Sequence, residues 1–190
     1  MRTLVMENVY PVTIDNGHGE RLTFLGRELR DGVEYIQVEN QVSPGAGPPM
    51  HVHYQQHESL HILEGKMGIE VPGQQPYFLQ KGESATFEAG IAHRFWNAGE
   101  STLHCKGEIW PPHNIEYFLS EIYRSSREHG NGRPGAFDSA YLLRKYHTEF
   151  DMLAIPAFVK KVIFPIVLFL GQISGKDKRY QDAPEARPLQ

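Results

Sequence analysis

The segment GAGPPMHVHYQQHESLHILEG, residues 45–65, decides how this chain is interpreted. It places His51 and His53 one residue apart, with Glu58 five residues further on. Side chains in an extended strand repeat every two residues, so the two imidazoles point to the same face. The step to Glu58 allows a tight turn that returns its carboxylate to the same point. The segment therefore predicts a metal site.

The ligand types narrow the choice of metal. Imidazole and carboxylate together suit a divalent transition ion such as iron, manganese, nickel or zinc. Calcium is disfavoured because it prefers oxygen ligands throughout. An isolated HxH pair also occurs by chance on surface hairpins. The pair is not isolated here, because the segment GESATFEAGIAHRFWN, residues 82–97, supplies a further histidine, His93.

Together the two segments resemble the two sequence motifs of the cupin superfamily. The first motif, GxxxxxHxHxxxxExxxxxxG, is matched at every fixed position between Gly45 and Gly65. The second, GxxxxxPxGxxHxxxN, is matched between Gly82 and Asn97, except that Glu88 stands where the family has proline. The resemblance implies a mainly β fold, a cupin (double-stranded β-helix or jelly-roll) barrel followed by α-helices. By position, it assigns the ligands of one divalent transition metal as His51, His53, Glu58 and His93.

The resemblance also implies a type of chemistry. Three imidazoles and one carboxylate leave two positions of an octahedral ion for a chelating substrate, or for substrate and dioxygen. We therefore predict a metal-dependent enzyme for a small organic molecule, foremost a dioxygenase similar to the quercetinase-like cupins, with Glu58 as catalytic base. The alternatives are a cupin isomerase or decarboxylase, and a non-catalytic module that binds a metal or a small ligand.

Strand parity and position suggest which residues line the substrate pocket. The predicted pocket residues are Leu60, Ile62, Phe95, Gln37 and His104. The first three share the parity of the nearest predicted ligand, whereas the last two lie on strands of unknown register. His57 and His61 have the opposite parity to Glu58 and are expected to face outward.

The chain divides into a β region and a helical region. Short β-branched or aromatic runs bounded by turn residues predict strands over 33–42, 59–63, 67–71, 77–79, 84–87, 93–97 and 102–110. We predict one cupin barrel over residues 1–112, including a hairpin at LEGKMGIEV, residues 63–71. A helical extension over 113–175 is expected to pack on the barrel or on a dimer partner, and a polar, loosely ordered tail fills 176–190.

Three helices are predicted in the extension. The first shows apolar residues at helical spacing from Ile115 to Tyr123, with Asn114 as its cap and Gly130 as its stop. Asp138 is expected to cap the second helix. The third helix is predicted to begin at Pro156 and to be kinked at Pro165, because proline removes a hydrogen bond from a helix interior.

Composition limits the partners. The formal net charge is -4 and no basic run is present, so nucleic acid is not expected as a partner. The single cysteine, Cys105, excludes an intrachain disulfide and fits a reducing compartment. The first residues lack the apolar run of a signal peptide, which together with Cys105 predicts a cytoplasmic protein.

The third helix is strongly apolar but short. Lys160, Lys161 and Pro165 leave an uninterrupted apolar run below the roughly 20 residues that a bilayer span needs. A helix lying on a membrane surface is the alternative. We expect instead that this helix packs on protein, that membrane association is absent, and that the protein is a homodimer.

Overall fold

The computed structural model describes residues 9–189 of the chain. Strands fill most of these residues up to Trp110, and helices most of the remainder. In chain order the elements are β1 (Val12–Asp15), β2 (Glu20–Arg30), β3 (Val33–Val42), β4 (His51–His53), β5 (His57–Glu64), β6 (Lys66–Glu70), β7 (Tyr77–Gln80), β8 (Ser84–Phe87), β9 (Arg94–Asn97), β10 (Leu103–Trp110), α1 (Ile115–His129), α2 (Ala136–Lys145), β11 (Phe150–Met152) and α3 (Phe164–Ile173). A π-helical turn, Val159–Ile163, precedes α3, and a 3₁₀ helix, Lys176–Tyr180, follows it.

The strands form a double-stranded β-helix, the barrel that the sequence predicts. The larger sheet has the order β1-β2-β3-β10-β5-β8, and the smaller sheet has the order β7-β6-β9. Each paired strand is antiparallel to its neighbour. The inner faces of the two sheets meet in one apolar cluster, which includes Leu60 and Ile62 from the larger sheet and Met67 and Phe95 from the smaller one.

Alternating burial explains why most of the strands were predictable. In β3, the side chains of Ile36, Val38, Asn40 and Val42 are buried, while those between them are more exposed. A half-buried strand in an antiparallel sheet requires this period of two. All seven predicted strand segments coincide with observed strands to within two residues at either end.

The helical extension packs against one side of the barrel and shares its core. Barrel and extension side chains form one cluster of buried residues, which includes Phe24, Ile36, Ile109, Phe118, Leu142 and Phe150. β11 also pairs with β4, so the extension contributes a strand to the segment that carries two of the predicted metal ligands. The extension is therefore part of the walls of the predicted site.

The hairpin predicted at residues 63–71 is wrong. β5 and β6 belong to different sheets, and the chain turns between them at Gly65. Gly65 has a φ of +91°, and a Cβ there would approach the backbone of Leu103 to 3.0 Å. The glycine thus permits a sharp corner from one sheet to the other, where a local pattern of alternating residues suggests a simple reversal.

Apart from β4, which is the extended segment assumed for His51 and His53, three strands among the described residues were not predicted. β1 and β11 are short, and the second half of β2 is rich in charged residues. The alternation of Leu22 and Phe24 in β2 stops at a register shift between Phe24 and Gly26. A β-bulge of this kind adds one residue to a strand and so breaks the period of two from which strands are recognised.

The predicted helix ends are partly correct. α1 ends at His129, and Gly130 follows it in the C-cap position with a φ of +68°, as predicted. Asn114 occupies the N-cap position, but its side chain donates to Glu149 rather than capping the helix. Asp138 is not a cap, because α2 begins after Gly135 and places the Asp138 carboxylate inside the helix. That carboxylate accepts hydrogen bonds from Ser125 and Tyr180 instead.

The third helix contains an irregularity where a kink was expected. Pro165 has no amide hydrogen for the carbonyl of Lys161, and the regular pattern is replaced by the π-helical turn before α3. One side of the helix packs on α2, where Gly171 lies against the ring of Phe137. The other side exposes seven apolar side chains, each 39 to 71% exposed: Phe158, Val162, Ile163, Ile166, Phe169, Leu170 and Ile173. Among residues 9–189, no helix has the length and apolar character to cross a bilayer.

The polar tail is more ordered than its composition suggests. Tyr180 is buried, and its hydroxyl donates to Asp138 at 2.6 Å. Further along, the amide of Arg187 donates to Glu149 at 2.8 Å. The tail up to residue 189 is thus fastened to the extension by side chains that sequence polarity alone does not pair.

The first motif depends on a glycine that has no space for a side chain. Gly47 has a φ of +151°, and a Cβ there would lie 2.2 Å from the carbonyl oxygen of Phe95. We expect Gly47→Ala to lower the free energy of unfolding by about 2 kcal/mol or more, since backbone must move to relieve the overlap. Gly26→Ala is the control, because no atom lies within 4 Å of its Cβ position. The free energies of unfolding are measured by urea denaturation. Equal losses of free energy in the two variants would contradict this explanation.

Candidate metal centre

Three short segments position the predicted ligands. His51 and His53 are the end residues of β4, Glu58 is the second residue of β5, and His93 immediately precedes β9. His51 and His93 exchange two backbone hydrogen bonds with N to O distances of 3.0 and 2.9 Å. The two sequence motifs are thereby held in register, with the rings of these histidines 4.5 Å apart between centroids.

The four side chains converge on one point. Each offers one ligand atom, and these atoms all lie within 4.8 Å of one another. Oε2 of Glu58 is 3.1 Å from Nε2 of His93 and 3.5 Å from Nε2 of His53. Ligand atoms bound about 2.1 Å from a shared ion lie up to about 4.2 Å apart. The cluster therefore has nearly the dimensions of a coordination shell.

Backbone carbonyls orient two of the imidazole rings. Nδ1 of His51 lies 2.8 Å from the carbonyl oxygen of Pro49, and Nδ1 of His93 lies 2.9 Å from that of Ile91. A carbonyl only accepts, so Nδ1 carries a proton in both rings and Nε2 is the nitrogen that faces the cluster. Nδ1 of His53 is buried without a hydrogen-bond partner among the described residues. The donor set and its orientation fit a transition-metal ion.

Burial and mutual electrostatics set the protonation states. Burial, then the charges of His53 and His93, lowers the pKa of His51 to about 3. Burial also lowers the pKa of His53 to about 4, against the attraction of Glu58. Burial alone raises the pKa of Glu58, but its hydrogen bond with His93 and the imidazole charges bring it down to about 2. At neutral pH the cluster thus offers two neutral imidazoles, His51 and His53, and an ionised carboxylate, the forms that bind a cation. Burial alone lowers the pKa of His93, but its hydrogen bond with Glu58 and the charge of that carboxylate outweigh burial, so the pKa of His93 is instead raised.

Aromatic rings hold the outer sides of two ligands. Phe87 stacks on His93 with 3.9 Å between centroids and 2° between planes. Phe150 of β11 meets the ring of His53 edge-on at 5.6 Å. Sequence reasoning missed both contacts. Parity with Glu58 across the β5–β8 pair could have identified Phe87, whereas no local pattern points to Phe150.

A cavity of about 520 Å³ opens beside the cluster. Leu60 and Phe95 line it together with His51, His53 and Glu58, as their parity predicts. Ile62 has the predicted inward parity but lies fully buried in the barrel core. The opposite wall comes from the extension, with Ile115, Phe118, Leu119 and Ile122 of α1.

Gln37 and His104 lie outside this cavity. Gln37 alternates with the buried residues of β3 and donates to Glu28 at 3.2 Å. His104 alternates with the buried residues of β10 and lies 2.8 Å from Glu39. The register of β3 and β10 therefore turns these two side chains away from the cavity. His57 and His61 face away from the cluster, as expected, with His57 stacked on Trp110.

Several polar side chains that line the cavity were not anticipated from the sequence: Asn16, Glu20, Asn40 and Tyr123. Glu20 is buried, and its carboxylate accepts hydrogen bonds from Asn16 at 2.7 Å and from Tyr123 at 3.4 Å. Burial raises the pKa of Glu20 to about 7, although both hydrogen bonds oppose the shift. Recognition of β2 would have shown that Glu20 shares the inward parity of Leu22.

Sequence comparison identifies relatives for the barrel. Residues 39–110 match the sequence model of a protein family whose description is "Cupin domain". A probable oxidoreductase of Hypocrea virens is 26% identical over 102 residues, which cover 52% of this chain and 45% of that protein. A quercetin 2,3-dioxygenase of Bacillus subtilis is 30% identical over 94 residues, which cover 45% of this chain and 27% of that protein. The chain thus spans less than half the length of both relatives.

Solved structures with a similar fold are more distant in sequence. The structure of KdgF from Halomonas sp. superposes with a TM-score of 0.46 at 14% identity, covering 58% of this chain and 90% of that one.

The raised pKa of Glu20 makes stability depend on pH. The fold favours protonated Glu20, so its contribution is complete below the ordinary pKa of 4.5 and is lost as the pH rises through about 7. We expect wild type to lose about 3 kcal/mol relative to Glu20→Gln between pH 4.5 and pH 8, measured by urea unfolding. Glu100→Gln, at an exposed turn, should not change the pH profile. Parallel profiles for wild type and Glu20→Gln would refute the assignment.

Proposed function

Residues 39–110 are a cupin domain, and we propose that this protein is a metal-dependent enzyme that acts on a small organic molecule. The observation that carries the proposal is the convergence of His51, His53, Glu58 and His93 at the wall of a cavity of about 520 Å³. We further propose that the reaction is an oxygenation of the dioxygenase type. The names of the two curated relatives, a quercetin 2,3-dioxygenase and a probable oxidoreductase, support this choice.

The four converging residues would hold one divalent ion of iron, manganese, nickel or zinc. When bound, such an ion supplies Lewis acidity to a coordinated substrate and, for iron or manganese, redox chemistry. Glu58 is buried and ionised, so an ion held here would balance the buried carboxylate once His93 has given up its proton. The aromatic rings of Phe87 and Phe150 fix the orientation of His93 and His53 around this point.

The cavity supplies the environment for the reaction. Its lining near the cluster is largely apolar, with Leu60, Phe95 and Ile109 from the barrel and Phe118 from α1. Such a lining excludes water and strengthens every electrostatic interaction inside the cavity. It selects a substrate that is apolar over most of its surface and polar where it meets the cluster.

Glu58 is the proposed proton acceptor. Its carboxylate is ionised at neutral pH, and its low pKa depends chiefly on the hydrogen bond with His93 and on the imidazole charges. A divalent ion held by the cluster would also keep Glu58 ionised, which is the form of the carboxylate that accepts a proton. Glu58 can then take a proton from a substrate hydroxyl, as general-base catalysis requires.

Metal content and oxygen uptake test the proposed reaction. Protein purified without chelators should contain about one transition-metal ion per chain, and mixing it with a catechol or enediol without air and then with air should consume oxygen. His53→Ala should lower metal content at least tenfold, and Glu58→Gln should slow oxygen uptake about 100-fold or more. The control is His61→Ala, since His61 faces outward and contacts Ser84.

Metal content, substrate conversion and oxygen consumption together distinguish the candidate functions. Full metal content in His53→Ala would refute the ligand set. Metal-loaded protein that converts the substrate without consuming oxygen would replace the oxygenase with an isomerase or decarboxylase. Metal-loaded protein that binds these probes but converts none of them would leave a non-catalytic binding module.

A homodimer in the cytoplasm completes the proposal. Cys105 is buried, which agrees with a structural thiol. The seven exposed side chains of the α3 region form an apolar patch on the order of several hundred Å², a size that marks interaction sites on soluble proteins. Packing of this patch against the same patch of a second copy would remove both from water.

The oligomeric state tests the role of this patch. We expect the wild-type protein to elute as a dimer in size-exclusion chromatography with light scattering. Phe169→Glu should shift it to a monomer at the same concentration, because it places a charge on the buried face. Leu29→Glu is the matched control, since Leu29 is 71% exposed on β2, away from the patch. A monomeric wild type, or a dimer unchanged by Phe169→Glu, would refute this interface.

A further inference from the structure

The cavity beside the cluster has a second polar region that the proposed reaction does not use. Asn16, Glu20, Asn40 and Tyr123 line it, and they come from the turn before β2, from the start of β2, from β3 and from α1. In the larger sheet, β10 separates β3 from the strand that carries Glu58, and β2 is one strand further away. None of these four residues therefore lies on a strand that carries a predicted metal ligand, although both groups of residues line the same cavity.

Asn40 is the most informative member of this region. Its side chain is 6% exposed, and its Oδ1 is buried without a hydrogen-bond partner among residues 9–189. Its neighbours of the same parity, Val38 and Val42, are apolar and buried. A buried amide oxygen without a partner costs about 1 to 3 kcal/mol, so an apolar residue would serve the fold better. The amide therefore points to a ligand that supplies the missing hydrogen bond.

Glu20 supplies a second polar group close to Asn40. Leu22 lies opposite Asn40 across the β2–β3 pair, and Glu20 precedes Leu22 by two residues on the same face. Such diagonal neighbours are about 7 to 8 Å apart, within reach of one small group placed between them. Asn16 and Tyr123 hold the Glu20 carboxylate in place, so its position is fixed before a ligand arrives.

We propose that Asn40 and Glu20 form a hydroxyl-binding subsite, which selects substrates with an apolar body, a metal-binding group at one end and a hydroxyl at the other. The metal-binding end of this substrate rests on the proposed function, whereas the hydroxyl subsite is independent of it. Between the two ends, the substrate would contact Leu22, Val38 and Leu60, which line the cavity.

The charges of the cavity favour a neutral hydroxyl. The carboxyl groups of Glu20 and Glu58 disfavour an anionic group at the buried end. Arg133 also lines the cavity, but its side chain is exposed, so it does not neutralise the buried region. A hydroxyl can donate to Oδ1 of Asn40 and at the same time accept from a protonated Glu20, whose pKa is raised by burial.

A titration with two small probes tests the subsite without any metal. Phenol and toluene have nearly the same shape and differ in one hydroxyl. Chelator-treated, ¹⁵N-labelled protein is titrated with each, and dissociation constants are taken from amide shifts. We expect wild type to bind phenol about tenfold more tightly than toluene, with the shifts centred on β2 and β3. Asn40→Leu should abolish this preference and leave toluene binding intact.

Two further variants locate the binding site. His53→Ala should keep the preference for phenol, because the proposed subsite does not include the metal ligands. Asn40→Leu should also raise the melting temperature, since it removes a buried polar atom without a partner. If it lowers the melting temperature or fails to fold, Asn40 serves the fold and the subsite is refuted.

Other results would also overturn the proposal. These are equal affinities of wild type for phenol and toluene, no measurable binding of phenol, or a preference that persists in Asn40→Leu. Failure of the proposed function is observed separately, as missing metal or missing oxygen uptake, and neither measurement depends on Asn40.

Discussion

Two backbone hydrogen bonds between His51 and His93 are the constraint on which the rest of the site depends. They join segments 42 residues apart in sequence and set both imidazoles on one side of the barrel wall. Glu58 can complete the cluster only because β5 runs beside β10 in fixed register, with Glu58 opposite Ile109. Gly47 allows the chain to approach Phe95 closely enough for this pairing to form. The sheet thus positions the ligands before any metal is considered.

Burial gives this arrangement its chemical character. In water, histidines so close together would each be free to protonate near neutral pH, and a carboxylate would remain solvated. Inside the barrel, desolvation keeps His51 and His53 neutral, while the hydrogen bond to His93 keeps Glu58 ionised. The same low-polarity surroundings make an unpaired charge expensive. A buried carboxylate beside the two neutral imidazoles of His51 and His53 is consequently a favourable place for a cation.

The sequence predicted those parts of the molecule that depend on local spacing. The ligand cluster follows from two motifs, and the inward direction of Leu60 and Phe95 follows from their parity with neighbouring ligands. Gln37 and His104 show the limit of this reasoning, because the parity of β3 and β10 relative to the site is set by pairing rather than by spacing. β2 was missed because a bulge breaks its alternation, and Glu20 was missed with it. Phe150 reaches His53 through tertiary packing, which no local pattern records.

The cavity is built from two parts of the chain that can change independently. The barrel supplies the ligands, whereas α1 and β11 of the extension supply much of the facing wall. Substitutions at Leu119 or Ile122 would reshape the space for a substrate without touching a ligand or a barrel strand. Part of the shape of the cavity is thus encoded apart from the four converging residues, so substitutions in the helices could change which molecules fit while the barrel stays unaltered.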